Sequence, residues 1–217
     1  MNIEQARFNM IEQQIRPWDV LDAHILETLQ RVPREEFVPD DQRALAFVDT
    51  HIPLGHGQVM TQPKQEARLI QALAPTSKQR VLEVGTGSGY LTALLAHLCA
   101  EVDSVDLYPD FIKTARKKLT AHGFNNAHLF EGDAARGWDG DGPYDAVILT
   151  GSVPILPHAF VHNLKPNGCL VAVVGQDPIM EALKIETHDN GATTQESLFD
   201  ISLPPLLNCE TPSAFVF

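Results

Sequence analysis

The chain has 217 residues, 44% hydrophobic and 20% charged, with 28 acidic against 16 basic side chains and a formal charge of −12. That length suits one domain with its own core, and the acidic balance counts against a nucleic acid partner, whose phosphates draw affinity from Lys and Arg. No stretch nears the roughly 20 apolar residues of a bilayer span, the first residues lack a signal-peptide layout, and Cys99, Cys169 and Cys209 are too few and too scattered for a disulfide framework or a metal cluster; a cytoplasmic protein with buried thiols, no membrane partner and no metal is expected.

Apolar residues at helical spacing predict helices over Ile3–Ile15 and Asp19–Gln30, the second carrying Leu21, Ile25 and Leu29, with Pro17 and Trp18 breaking the two apart. Between Pro33 and Pro63 the chain is rich in Pro, Gly, Asp and His, which predicts lid-like loops around short extended pieces, with a helix following Pro63. Strands and helices then alternate. Strands are expected at Arg80–Gly85, Val102–Asp106, Ala127–Gly132, Tyr144–Thr150 and Cys169–Gly175, and helices at Tyr90–Leu98, Pro109–His122 and Ile155–Leu164. Short apolar strands separated by helices of about ten residues indicate βαβ units and a parallel sheet covered on both faces. From Lys184 to Phe217 Thr-rich alternation and Pro-rich pieces suggest antiparallel strands finishing the sheet. The expected class is α/β, Rossmann-like, in one domain: N-terminal helices and a substrate-side loop over 1–76, a cofactor-binding core over 77–176 and C-terminal strands over 177–217.

The sharpest motif is Glu83-Val84-Gly85-Thr86-Gly87-Ser88-Gly89-Tyr90, between a buried strand and a helix. Alternate glycines let the backbone turn tightly and approach a ligand, with helix N-terminal N–H groups aimed at it. Its third glycine follows after one residue, where the dinucleotide fingerprint has two. This compact form, preceded by an acid, resembles motif I of class I methyltransferases, whose loop packs against the amino acid portion of S-adenosylmethionine. Asp106, followed by Leu107, ends the second strand about twenty residues on, where a carboxylate accepts hydrogen bonds from ribose hydroxyls. Asp133, followed by Ala134, ends the third strand, beside the adenine in such folds, and Thr150 ends the fourth. The Asn/Asp-Pro-Pro-Tyr/Phe run of enzymes that methylate amino or amide nitrogen is missing after that strand, and no Asp/Asn set for Mg²⁺ can be assembled.

Several segments resemble the protein-L-isoaspartate (D-aspartate) O-methyltransferase family. They are Val32-Pro33-Arg34-Glu35-Glu36-Phe37-Val38-Pro39, Ala46-Phe47-Val48-Asp49, Ile52 to Pro63 with its Gly-x-Gly-Gln…Gln-Pro pattern, Val81 to Tyr90, and Tyr144 to Thr150. The likeness runs from the N-terminal helices to about Gly175. It implies methylation of the free carboxylate of isoaspartyl residues in damaged proteins or peptides, with S-adenosylmethionine as cofactor and S-adenosylhomocysteine as product, after which the ester closes to a succinimide and partly reopens as aspartate. It also implies a reaction-centre hydroxyl at Thr61, with Gln58, Val59 and Met60 on the substrate side and Glu83, Gly85, Thr86, Gly87, Ser88, Gly89, Asp106, Leu107, Asp133, Ala134 and Thr150 around the cofactor. The alternative role for Thr61 is capping the helix after Pro63. Departures cluster on the substrate side: Val59-Met60-Thr61 stands for the family's Thr-Ile-Ser, Phe47 for a Tyr, and Gly151-Ser152 for an Ala-Ala pair. A methyltransferase of the same fold acting on another carboxylate or hydroxyl, and a cofactor-binding protein without turnover, remain open alternatives.

Among other residues, His56 reads as an incidental loop histidine, Arg34 as one half of a surface ion pair, Lys117 and Lys118 as a solvated helix face, and Trp18 and Trp138 as packing residues.

Overall fold

The computed structural model describes residues 2–140 and 142–211. Asn2 caps α1 (Ile3–Met10) by accepting from the Gln5 N–H, and the helix continues as a wider turn over Ile11–Ile15. A tight turn at Arg16–Trp18, closed by Asp19 in the left-handed region, makes the break expected at Pro17. α2 begins later than the apolar spacing suggests, at Ala23–Arg31, because the Asp22 side chain caps it by accepting from the His24 and Ile25 N–H groups. Leu21 therefore lies outside the helix and is 67% exposed.

The segment expected to be a lid between Pro33 and Pro63 is partly core. Phe37, Val38, Ala46, Phe47, Ile52 and Met60 are buried in it, and its end is a hairpin of β1 (Ile52–Gly55) and β2 (Gln58–Met60). α3 (Pro63–Leu73) follows, with Gln62 and Gln65 forming a reciprocal capping box. The cap is thus Gln62 and not Thr61.

β3 (Arg80–Val84), α4 (Tyr90–Leu98), β4 (Glu101–Asp106), α5 (Pro109–Ala121), β5 (Ala127–Glu131), β6 (Tyr144–Val153), α6 (His158–His162), β7 (Leu164–Gln176), β8 (Ile179–Thr187) and β9 (Thr193–Asp200) follow. Among the described residues the sheet has seven strands in the order β5-β4-β3-β6-β7-β8-β9, parallel through β7 and antiparallel beyond. Alternate strand residues enter cores on opposite faces: Val81, Ala146 and Ile148 on one, Leu82, Val147 and Leu149 on the other. Both faces being covered explains the apolar Ala146–Leu149 run of β6, while β3 and β4 bury Glu83, Asp103 and Ser104 among their apolar residues.

Further boundaries differ from expectation, among them β7, which begins at Leu164 and not at Cys169. The helix at Ile155–Leu164 shrinks to α6, because Pro157 holds its first turn and Leu164 already pairs with Tyr144 in the sheet. β6 runs on to Val153, because Ser152 donates its N–H to Pro204 O and accepts from the Leu206 N–H. The strands expected from Lys184 onward start at Ile179 and stop at Asp200, and residues 201–211 return as irregular chain over the end of β6; residues 212–217 of that expectation lie outside the described residues. Cys99 and Cys169 are buried, as expected, and Cys209 is half-buried. Lys118 is not a solvated lysine: it donates to Phe37 O at 2.6 Å, while Lys117 is exposed. The Trp18 ring carries Lys64 Nζ at 4.1 Å, and Trp138 packs on Phe130.

Candidate active site

The chain leaves β3 toward β4 and β5 on one side, then crosses to β6 on the other. Adjacent crossovers diverge at the carboxyl end of β3, the place where open α/β sheets bind ligands. A cleft opens there with about 960 Å³ of empty space, part of it open solvent.

The glycine loop forms its floor. Gly85, at φ +101°, donates its N–H to Val105 O at 2.8 Å, and a Cβ on it would stand 2.2 Å from Thr150 Oγ1. That hydroxyl donates back to Val84 O and Gly85 O, so Thr150 sits in the wall of the cleft as a brace for the loop. Gly89 does not reach the cleft. A Cβ there would stand 2.8 Å from Ala115 Cβ, so this glycine serves the close approach of α4 to α5. Glu83 does not reach it either. Its Oε2 accepts from Thr92 Oγ1 (2.5 Å) and Ser104 Oγ (2.6 Å), Ser104 in turn meets the Thr86 hydroxyl, and burial without a cation pushes the Glu83 carboxyl up to about 8. Glu83 thus holds the loop from beneath.

Asp106 closes the side toward β4. Its Oδ2 accepts from Gly87 N–H at 2.8 Å and its Oδ1 from Tyr108 N–H at 2.9 Å, leaving free lone pairs on both oxygens. Desolvation raises its pKa. Leu107, Asp133 and Ala134 line the same wall; Asp133 accepts from the Ala135 N–H and from Asn208 Nδ2. Thr86, Gly87 and Ser88 also face the cleft.

The hairpin supplies the opposite wall through Leu54, Gln58, Val59 and Met60. His56, at its tip, hydrogen-bonds Asp110 at 2.9 Å and stacks on the Tyr108 ring at 4.1 Å. The histidine read as incidental is therefore a tie between the hairpin and the start of α5, and that bond is the main cause lowering the Asp110 pKa.

Thr61 lies at the junction of hairpin and α3 and lines the cleft. Its hydroxyl donates to Glu66 Oε1 at 3.2 Å. Arg34, read from sequence as a surface residue, has no exposed surface: it pairs with Glu66 Oε2 and donates to Thr61 O (2.6 Å) and Ala46 O (2.9 Å), with its guanidinium 4.9 Å from the Tyr90 ring centre. Desolvation outweighs that pairing and lifts the Glu66 carboxyl to about 7.

Sequence reasoning missed Glu66, the aromatic pair Tyr108 and Phe111, and the Pro204–Leu207 roof. A Glu in the first turn of an amphipathic helix gives no sign that it faces inward; the Pro204-Pro205 pair only marked an end to regular structure. All the expected site residues apart from Glu83 and Gly89 line this one cleft.

The donor set fits an adenosyl sulfonium ligand. It offers a carboxylate beside the exposed backbone of a glycine loop, apolar walls from Leu91 and Leu107, and no lysine, arginine or histidine among the described lining residues.

A model of the protein-L-isoaspartate(D-aspartate) O-methyltransferase family matches residues 5–210, so the likeness extends past Gly175, where the sequence motifs fade. A protein-L-isoaspartate O-methyltransferase of Myxococcus xanthus is 42% identical over 72% of this chain and 74% of its own length. One from Opitutus terrae is 37% identical over 93% and 88%. The crystal structure described as a putative member from Plasmodium falciparum in complex with S-adenosyl-L-homocysteine superposes with a TM-score of 0.77 at 21% identity, covering 95% of this chain and 98% of that one, which establishes the shared fold.

Proposed function

We propose that this chain, which belongs to the protein-L-isoaspartate(D-aspartate) O-methyltransferase family, transfers methyl from S-adenosylmethionine to the free carboxylate of isoaspartyl residues in damaged proteins and peptides. The observation that carries the reading is that the glycine loop with Asp106 and the hairpin with Thr61 line one and the same cleft.

When bound, the cofactor supplies an electrophilic methyl on a sulfonium. Asp106 would hold the ribose hydroxyls with its free lone pairs, Gly85 to Ser88 would pass beneath the amino acid portion, and Leu107, Asp133 and Ala134 would flank the adenine. Glu83 and Thr150 keep the loop in shape. On the other wall Gln58, Val59 and Met60 would contact the acceptor, and Thr61 would meet its carboxylate. An acceptor carboxylate of ordinary pKa is ionised at neutral pH, so no base need remove a proton. Placing nucleophile and methyl in line is worth roughly 7–11 kcal/mol of barrier in favourable cases, and the hairpin, tied down by His56, would exclude water from that line.

The net charge of −12 counts against a nucleic acid acceptor. Among the described residues no helix is long and apolar enough to cross a membrane; we place the protein in the cytoplasm and read residues 1–217 as one methyltransferase domain. The reading is tested by incubating an isoaspartyl peptide with enzyme and cofactor and following its chromatographic conversion to the aspartyl form. Accumulation of that form only when both are present is expected. An unchanged peptide, with cofactor bound, would overturn the assignment.

A further inference from the structure

The hydroxyl of Thr61 has one hydrogen, and in this structure it is given to Glu66 Oε1. An acceptor carboxylate arriving at Thr61 needs that same hydrogen. It also enters a cleft walled by Glu66, Asp106 and Asp133 and, among the described residues, by no basic side chain. Two carboxylates sharing one hydroxyl cannot both be satisfied while both are ionised, and like charges so placed drive one of them to take up a proton. Resting on the isoaspartyl reading above, we propose that Glu66 is a positioning residue: docking of the acceptor carboxylate is coupled to uptake of one proton from solvent onto Glu66 Oε1, which then donates to Thr61 Oγ1 and frees the Thr61 hydrogen for the acceptor.

The surroundings are built for this exchange. Glu66 Oε2 stays with Arg34, and Arg34 keeps Ala46 O and Thr61 O as further acceptors, so protonating Oε1 orphans no donor of the guanidinium. The other titratable groups acting on this cluster include Tyr90 of α4, over whose ring Arg34 lies, Glu83 of β3, which feels the charge of Glu66, and the Arg7–Glu35 ion pair, both members of which act on Tyr90. Tyr90 is held neutral, its pKa raised by burial, and Glu83 adds negative charge when it ionises, which favours the proton on Glu66. Burial of the side chain lifts its carboxyl to about 7, so the exchange falls in an accessible pH range.

The test is kcat/KM for an end-blocked isoaspartyl peptide at saturating cofactor from about pH 6 to about pH 9, where the peptide's own carboxylate does not titrate. The wild-type value should fall about tenfold per pH unit above a midpoint near 7. Glu66→Gln, whose amide donates permanently to Thr61, should lose that decline. Thr61→Val should be impaired throughout and equally flat. A Glu66→Gln variant that folds badly is recognised by loss of its thermal stabilisation by S-adenosylhomocysteine. For that case, calorimetry of the wild-type protein and peptide with this product, in buffers of differing ionisation heat, reads the proton directly: uptake at about pH 8 and none at about pH 5. Transfer with a flat wild-type profile, a decline that persists in folded Glu66→Gln, or binding without uptake overturns the inference and leaves the isoaspartyl reading standing. No transfer at any pH overturns both.

Discussion

Replacing Arg34 with Met removes a cation with no exposed surface from a glutamate that is itself buried. Three acceptors lose their donor: Glu66 Oε2, Thr61 O and Ala46 O. Taking one member from a buried pair costs about 3–5 kcal/mol, because the remaining charge stays desolvated. For a domain of this size each kcal/mol moves the melting temperature by roughly 2–4 °C, so Arg34→Met should melt roughly 6–20 °C below wild type near pH 8. The sign of the pH effect follows. Burial already raises the Glu66 carboxyl to about 7, and losing Arg34 raises it further, so the variant's stability is retained below the ordinary carboxylate range and lost as pH climbs through the new value. Calorimetric melts of both proteins from about pH 5 to about pH 8 should therefore show the deficit widening with pH. Adding Glu66→Leu to Arg34→Met should recover at least about 1 kcal/mol by removing the stranded carboxylate. A deficit below about 1 kcal/mol that does not vary with pH would refute this reasoning and restore Arg34 to the status of a surface ion pair.

Other perturbations read other parts of the site. Asp106→Asn should weaken S-adenosylhomocysteine by roughly 10–100-fold in titration calorimetry, the equivalent of about 1.5–3 kcal/mol for hydrogen bonds to a charged group; an unchanged Kd would remove Asp106 from the ribose. Gly85→Ala sets a methyl 2.2 Å from Thr150 Oγ1 at φ +101°, and should abolish the thermal stabilisation that the same product gives the wild type. Glu83, pushed up to about 8 by burial, favours the fold while protonated, so its contribution is complete below the ordinary carboxylate value and disappears as pH rises through about 8. Thermal melts of Glu83→Gln should fall less steeply than wild type across that window.

The order of elements after Gln79 was legible because the strands carry closely spaced apolar residues closed by Gly or Asp, as Val81–Gly85 and Val102–Asp106 do, and helices are marked by an opening residue such as Pro109. The cofactor side was equally legible, since a tight turn at Gly85 and Gly87 needs glycine whatever surrounds it, and the carboxylate at the end of β4 follows from the topology. What local pattern could not reveal was burial by distant segments. Arg34, Lys118 and His56 look like surface residues until Glu66, Phe37 O and Asp110, each far along the chain, meet them. Likewise Ile155 and Leu164 share an apolar period with α6, but pairing of Leu164 with Tyr144 draws it into the sheet. Glu83 shows the opposite case: the motif identifies its place but not its task, because a motif fixes position along the chain and not the direction in which a strand turns the side chain.

The central claim is tested most directly by transfer of labelled methyl from S-adenosylmethionine to an isoaspartyl peptide beside the identical peptide carrying normal aspartate. Base-labile label on the isoaspartyl peptide alone is the expected result. Label on both peptides, or on neither while the cofactor still binds, would contradict it.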